Sequence, residues 1–303
     1  MVRFIYNPYS GNNRRHPGLL DTLRATAARR GCGHEVSVTQ GPGHATELAR
    51  EAVAAGCRRI IAVGGDGTMN ETAQALTGTG ADLGLVPCGS GNGLALHLGI
   101  PTRAADALDF VVSEQTRAAS IDTGTVNGHV FCNAMGAGLD AEISQRFNRL
   151  TRRGLPAYVR TTAGALLRFR PSPIFVSDDM GRSFRMKVLL VAVANSDQYG
   201  NRARIAPLAR TDDGLLNLVA LQPVGPFAAL SCLVRLFSGS LHRSPHVQCL
   251  TSSGFVIERH AAGPVHTDGE THDAEARLVV RTSPRSLRIL VPSTAPVSSF
   301  CHG

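Results

Sequence analysis

Apolar and polar positions fall into two textures along the chain. Up to about Ile121 they alternate between strand and helix signals. Val2 to Tyr6 is a strand-sized apolar run, His16 to Arg30 has helical spacing ending at Gly31, and Glu35 to Thr39 alternates as a strand. Leu48, Ala49, Ala52 and Val53 recur at helical spacing within Ala45 to Ala55, and Gly56 stops that helix. Arg59 to Val63 reads as a buried strand, followed by a glycine turn and a helix through Leu76. Leu83 to Pro87 is another strand, leading through a second glycine turn to a short helix ending at Leu98; Thr102 to Val112 is helical again. This alternation predicts a parallel sheet covered by helices.

Beyond Ile121 strand-like runs dominate: His129 to Ala134, Ser183 to Ala194, Leu215 to Leu221, Val247 to Thr251, Phe255 to Arg259 and Arg277 to Arg281. Two helical segments interrupt them, near Ala157 to Phe169 and Phe227 to Phe237. That predicts a β-rich second domain. Leu287 to Val291 is a last strand free to return to either domain.

Composition narrows the class. With 303 residues, 43% hydrophobic and 18% charged, the chain is long enough for two domains and too apolar for general disorder. No apolar run approaches a membrane span; the best, Val188 to Ala194, is strand-sized. The N-terminus lacks a signal peptide's apolar core. Seven Cys, never spaced as CxxC, point to a reducing cytosol rather than to disulfides or zinc. The net charge of +8 sits wholly in the middle third: Asp140 to Arg243 holds 15 basic and 7 acidic residues, and only Lys187 of the chain's 31 basic residues is lysine. A localised basic region suits nucleic acid, an anionic membrane or a phosphate-rich ligand, or is an ordinary solvated surface.

Chemistry concentrates in two turns. Val63-Gly64-Gly65-Asp66-Gly67-Thr68-Met69-Asn70-Glu71 and Pro87-Cys88-Gly89-Ser90-Gly91-Asn92-Gly93 both run from strand to helix. Glycines let backbone approach a ligand, and a helix N-terminus presents N–H groups to an anion. With Asn7-Pro8-Tyr9-Ser10-Gly11 after the first strand, three glycine-bearing loops gather at the C-terminal edge of the predicted sheet, where α/β ligands bind. Neither Walker A nor the spaced GxGxxG fingerprint is present.

The set NPYSG, GGDGTMNE, PCGSGNGLALHLGIP, GLDAE, NSDQYGNRARIAP, TDDGLLNL and HTDGE, in this order from Asn7 to Glu270, resembles the diacylglycerol kinase catalytic-domain family, which includes bacterial lipid kinases, sphingosine kinases and ceramide kinases. The resemblance implies α/β plus all-β architecture: a Rossmann-like nucleotide domain over 1–122, a β-sandwich domain over 123–286, residues 287–303 returning to the first, and an active site in the interdomain cleft. It implies an ATP- and Mg2+-dependent lipid kinase. Asn7, Pro8, Tyr9, Ser10, Gly11 and Thr39 would line the nucleotide pocket. Gly65, Asp66, Gly67, Thr68, Met69, Asn70 and Glu71 would hold the phosphates and order the site, with Ser90 from the second turn. Asp66 and Glu270 would be catalytic, Glu270 as general base. Arg210, Asp213 and Leu215 would hold a structural Mg2+ through two carbonyls and one carboxylate. On its own, Asp268 to Glu270 is an ordinary acidic turn. His266, His272 and Asp273 flank it, either as surface residues or with His266 orienting the base. Cys88, in the second turn, is either reactive or a small buried filler.

Three places depart from the family pattern. Gly93 follows Asn92 where many bacterial diacylglycerol kinases have Asp, a form closer to sphingosine and ceramide kinases. Asn12 replaces the usual Lys after the first loop, and Asn201-Arg202-Ala203 replaces a glycine-rich stretch.

A lipid acceptor requires docking on a bilayer without a membrane span. Arg146 to Arg170 and Phe227 to Arg243 mix apolar side chains with arginine, which suits either an interfacial helix on anionic lipid or a helix covering the β domain. The expected partners are therefore a membrane lipid substrate and an anionic membrane surface, with the protein peripheral at the cytoplasmic face; a homodimer stays open. A soluble-metabolite kinase of the NAD kinase type would need the same GGDGT turn without these helices. Nucleic acid is not expected: no Trp and four Tyr leave few stacking platforms.

Overall fold

The structure, a computed structural model, describes residues 1–15, 18–29, 33–113, 116–148 and 169–293. The chain divides into two compact units, Met1–Ile121 with Arg285–Gly303, and Asp122–Pro284.

In the first unit, β1 (Val2–Tyr6) pairs in parallel with both β2 (His34–Val38) and β3 (Arg59–Gly64), and β3 with β4 (Asp82–Pro87). Residues Arg288 and Ile289 of β18 (Arg277–Pro292) add a parallel pairing to Asp82 and Leu83 of β4. Near-continuous burial of RIIAVG and DLGLVP is what a sheet covered on both faces requires. One face packs Phe4, Tyr6, Ile61, Val63, Val86 and Leu290 against Leu23 of α2 (Leu19–Arg29) and Ala107, Leu108 and Val111 of α6 (Ala104–Val112). In α3 (His44–Ala54), Ala45, Leu48, Ala49 and Ala52 form the buried stripe, an i, i+3, i+4, i+7 pattern. Of the helix expected over His16 to Arg30, α2 is described, preceded by a short α1 (Gly11–Arg15); His16, Pro17 and Arg30 lie outside the described residues.

The second unit is a β-sandwich. One sheet runs β14 (Val247–Ser252), β13 (Leu216–Leu221), β10 (Leu190–Ala194), β7 (Ala134–Gly138), β16 (Gly263–Thr267), β17 (Glu270–Ala274). In the other, β15 (Gly254–Arg259) lies between the start of β18 and β8 (Ser172–Asp178), which pairs with β9 (Ser183–Val188). Strand alternation divides two cores cleanly. Val191, Val193, Leu216 and Leu218 face the inter-sheet core with Phe131, Phe255 and Val280. Ala192, Ala194, Val219 and Leu221 point to the opposite face, which α8 (Pro226–Ser238) covers through Cys232.

Several expectations need correcting. Ser183 to Ala194 is not one strand: β9 and β10 belong to different sheets, and Leu189 between them has its N–H on Leu221 and its carbonyl on Leu139. His129 to Ala134 is likewise β6 (His129–Phe131) and the start of β7. Arg277 to Arg281 and Leu287 to Val291 are one continuous strand, β18. Another strand, β5 (Thr116–Val126), and a helix, α7 (Leu139–Asn148), carry no expectation from the pattern. The helix expected near Ala157 to Phe169 lies, except for Phe169, outside the described residues, as does most of the arginine-rich stretch Arg146 to Arg170.

Candidate active site

The two glycine turns of the first unit meet backbone to backbone. A Cβ on Gly89 would lie 2.8 Å from the Cα of Gly65, and one on Gly65 would lie 3.3 Å from the Cα of Gly89. No side chain fits between them, which gives both glycines a steric reason. The Asp66 carboxylate locks the pair: its oxygens accept the N–H of Asn92 at 2.9 Å and of Gly93 at 3.0 Å. This engages the start of α5 (Gly93–His97) and occupies two of the roughly four lone-pair sites of a carboxylate. Asn92, at φ +52, closes the second turn on itself through Gly89.

The first loop joins the same cluster. Asn7 Nδ2 donates to Thr68 Oγ1 at 2.8 Å, and Ser10 Oγ accepts the N–H of Gly65 at 3.1 Å. Asn13 Nδ2 reaches the carbonyl of Asn7 at 2.7 Å. Helix α4 (Asp66–Leu76) opens at Gly65 with no side-chain cap, so its amide end faces this cluster. Thr39 is buried at 3% exposure, and its hydroxyl has no hydrogen-bond partner among the described residues, an arrangement that fits a ligand contact. Tyr9 and Ser90 are exposed; Pro8 is half-buried and Gly11 begins α1.

Three of the expected phosphate-site residues point elsewhere. Met69 and Asn70 are buried on α4, and Asn70 accepts from Gln74 one turn on. Glu71 accepts the N–H of Gly43 at 2.8 Å and of Ala45 at 3.0 Å, capping α3, while its carbonyl takes the Thr46 hydroxyl. Cys88 is a buried filler: burial pushes its thiol up to about 12, far from a reactive thiolate.

In the second unit, Glu270 is the first residue of β17, directly after a two-residue Asp268-Gly269 turn. Both turn residues have positive φ, +50 and +89, as the tight hairpin turn favoured by Asp-Gly requires. The Asp268 carboxylate accepts three consecutive N–H groups, from Cys132 and Asn133 at 2.8 Å and Ala134 at 3.0 Å. His266 is not a surface residue: it is 4% exposed, with Nε2 2.7 Å from Asp140 Oδ2. Tyr199 donates its hydroxyl to the same oxygen at 2.6 Å. Burial alone would lower the His266 pKa; the Asp140 charge and hydrogen bond, with Asp268 behind, outweigh it and raise it. His272, stacked on His129 at 3.8 Å, is pushed the other way, down to about 4, by burial and then by its neighbouring histidines.

The expected metal loop surrounds Asp122, a wholly buried acid missed by the sequence pattern, and the one acidic residue of β5. Asp122 accepts the Gly214 N–H at 2.6 Å, and Asp213 accepts that of Leu215 at 3.0 Å. Loss of water around the loop, and then the Asp122 and Asp212 charges, raise the Asp213 carboxyl against the pull of the Leu215 N–H and Arg210. Arg210 itself holds Asp212 at 3.3 Å. Among the described residues no three His, Cys, Asp or Glu side chains gather as a metal-holding group, so a hard cation at this loop would need main-chain oxygens beside the Asp213 carboxylate.

Helix α8 is apolar on two faces. Cys232 and Leu236 pack inward, while Phe227, Leu230, Leu233, Val234 and Phe237 are exposed, Phe227 at 91%. Helical geometry puts those five on one arc of about 120°. Arg204 lies at the far end of the helix, its Cδ 3.1 Å from where a side chain on Gly239 would begin. In the preceding hairpin of β11 (Gln198–Gly200) and β12 (Ala203–Arg204), Asn201 and Arg202 hold φ of +51 and +62.

Solved structures with this architecture include a putative diacylglycerol kinase from Bacillus anthracis, with a TM-score of 0.78, 22% identity and 96% of each chain covered. That likeness establishes the fold: an α/β unit followed by a β-sandwich. A diacylglycerol kinase catalytic domain matches residues 1–145, and a YegS C-terminal NAD kinase beta sandwich-like domain matches residues 133–291. The chain belongs to the diacylglycerol kinase catalytic-domain family, a family of phosphotransferases. A probable lipid kinase YegS-like of Pseudomonas fluorescens is 31% identical, with 90% of this chain and 91% of that one covered. A diacylglycerol kinase of Bacillus subtilis is 33% identical over 73% of each chain.

Proposed function

We propose that the protein transfers the γ-phosphate of ATP to a hydroxyl of a membrane lipid, diacylglycerol-like or sphingoid/ceramide-like, while docked on an anionic membrane at its cytoplasmic face. The observation that carries the lipid acceptor is the outer arc of α8: five large apolar side chains that the fold leaves in water. A kinase for a soluble metabolite has no use for such a surface, whereas an enzyme whose acceptor stays in a bilayer does. Arg235 supplies charge that anionic headgroups attract, while Arg204 is paired with Asp197 at 3.3 Å.

Phosphoryl transfer asks for positioning, stabilisation of charge on the γ-phosphate and a base for the attacking hydroxyl. The paired glycine turns, the amide end of α4 and Ser10 are suited to seat phosphates, and Thr39 to touch the nucleotide. Glu270 is suited to take the hydroxyl proton. Arg210, Asp213 and Leu215 would hold Mg2+, which when bound neutralises the loop's carboxylates and stiffens it.

The test is to incubate the protein with labelled ATP, Mg2+ and mixed micelles carrying diacylglycerol, sphingosine or ceramide separately, beside Asp66→Asn and Glu270→Gln. Label entering one lipid, and lost in both variants, supports the reading and names the acceptor. Label entering NAD instead, with no lipid labelled, refutes it.

A further inference from the structure

Three residues from separate sequence motifs have no part in the chemistry just described, yet they meet at one point. Asp140 comes from GLDAE, Tyr199 from NSDQYG and His266 from HTDGE. Asp140 stands 126 positions from His266 and 59 from Tyr199, and all three share the single oxygen Asp140 Oδ2. The ring of Tyr199 also meets that of His266 edge-on, with centroids 5.9 Å apart. Gly136 makes the room: a Cβ there would collide with both Asp140 Oδ2 and His266 Nε2.

A buried carboxylate–imidazole pair is a poor source of net stability, since both groups lose water when an apolar pair would not. Its geometry relates it to the turn above. The Gly269 N–H donates to His266 Nδ1 at 3.3 Å. In the neutral ring that bond leaves the proton on Nε2, facing Asp140, and Tyr199 fixes the carboxylate that receives it; protonation of Nδ1 gives up the Gly269 bond and keeps the Asp140 one. Asp268, the other turn residue, is clamped by three N–H groups of the Cys132–Ala134 segment. Both residues before Glu270 are thus held from below, one by His266.

We propose that Asp140, His266 and Tyr199 form a buried positioning triad that fixes the Asp268–Gly269 turn and, through it, the direction of the Glu270 carboxylate. The proposal rests on the reading of Glu270 as the base. The triad acts on rate through the turn. A displacement of about 1 Å in a catalytic group is enough to cost roughly 100-fold in rate.

Two measurements on the full chain test it. First, hydrogen exchange is followed in Asp140→Asn and Tyr199→Phe. Exchange accelerated more at the amides from Thr267 to Thr271 than elsewhere in the β-sandwich supports the triad. Exchange unchanged there, or accelerated there no more than throughout the β-sandwich, as a merely structural role would have it, overturns it. Second, label transfer from ATP to the lipid that the wild type phosphorylates is measured in the same variants, alone and combined with Glu270→Gln. A fall in kcat of roughly 10- to 100-fold, with KM for ATP within twofold and no further fall in the Glu270→Gln background, supports it. The same factor lost again in that background overturns the positioning role and leaves the base standing. Wild-type kcat in Glu270→Gln alone overturns the base reading, and the triad's purpose with it. Should Asp140→Asn fail to fold, Tyr199→Phe, which removes one hydroxyl, carries both measurements.

Discussion

The carboxylate of Asp66 holds the main-chain N–H of Gly93 at 3.0 Å, joining the two glycine turns of the α/β unit across 27 positions of sequence. The same side chain expected at the chemistry is therefore also the strut between the loops. Asp66→Asn keeps one acceptor oxygen but turns an NH2 group toward the other backbone N–H. We expect the unfolding free energy to fall by about 1–3 kcal/mol, the cost of a lost bond to a charged group, together with loss of label transfer. An unchanged urea midpoint would show that the strut carries no load.

Glu71 should behave differently. Its carboxylate caps α3 by accepting two of the helix's first N–H groups, from Gly43 and Ala45. Glu71→Ala is expected to cost about 1–2 kcal/mol in stability. At a temperature where the variant stays folded, its KM for ATP should match the wild type. A tenfold rise in KM there would return Glu71 to the nucleotide.

The two faces of α8 separate folding from docking. Phe227→Ser, Leu230→Ser and Val234→Ser together should leave the melting temperature nearly unchanged, because all three side chains are exposed. They should weaken sedimentation with vesicles containing anionic lipid by ~100-fold or more, from the lost burial of three large side chains. Leu236→Ser, on the packed face, should lower melting instead. Undiminished vesicle binding by the triple variant would remove α8 from the membrane.

Arg202 sits at φ +62, a region that costs a residue with a Cβ about 1–2 kcal/mol and glycine almost nothing. Arg202→Gly is expected to stabilise the protein by about 1 kcal/mol in chemical denaturation. If the arginine is kept at that cost for its charge, the same variant binds anionic vesicles more weakly, with a shallower dependence on salt. Stabilisation without any change in binding would leave the arginine unexplained.

The raised His266 pKa makes the buried triad pH-dependent in one direction. Its proton is bound more tightly folded than unfolded, so the stabilisation is fully present below the unfolded value of about 6.5 and fades as pH rises through the folded value. The groups around it are Asp140, Asp268, Tyr199 and His272. Asp140→Asn should therefore destabilise most at pH 6 and least near pH 9, read as the gap between urea midpoints. A gap that widens with pH would contradict the raised pKa.

The α/β unit was legible because its signals are local. Buried strands, glycine turns and the Ala45–Ala52 stripe each announce themselves within about ten residues. The β-sandwich was less so. Ser183 to Ala194 reads as one strand since nothing in its apolar run marks Leu189 as the point where the chain changes sheets. The β16–β17 hairpin hides in a polar sequence, although its Asp-Gly pair is a hairpin signal in its own right. Side-chain partners were the least readable. Glu71 follows a phosphate-type turn in sequence but serves a helix 26 positions earlier, and His266 lies in a segment as polar as a surface loop yet is buried. Both depend on pairings between distant segments, which no local window contains.

Strand β18 has a consequence for how the chain is made. Ile289 and Leu290 are wholly buried in the first unit, Ser286 receives the N–H of Gly78, and Arg288 reaches Asp82 across 206 positions. A ribosome that has delivered the first 121 residues has thus delivered an incomplete sheet, with the flank of β4 still waiting for its neighbour. Vectorial synthesis would let the sandwich strands emerge and pair before the earlier unit can close. The part of the molecule that is read first is the part that is finished last, and until then its unpaired β4 edge is the place where a chaperone or another nascent chain would find it.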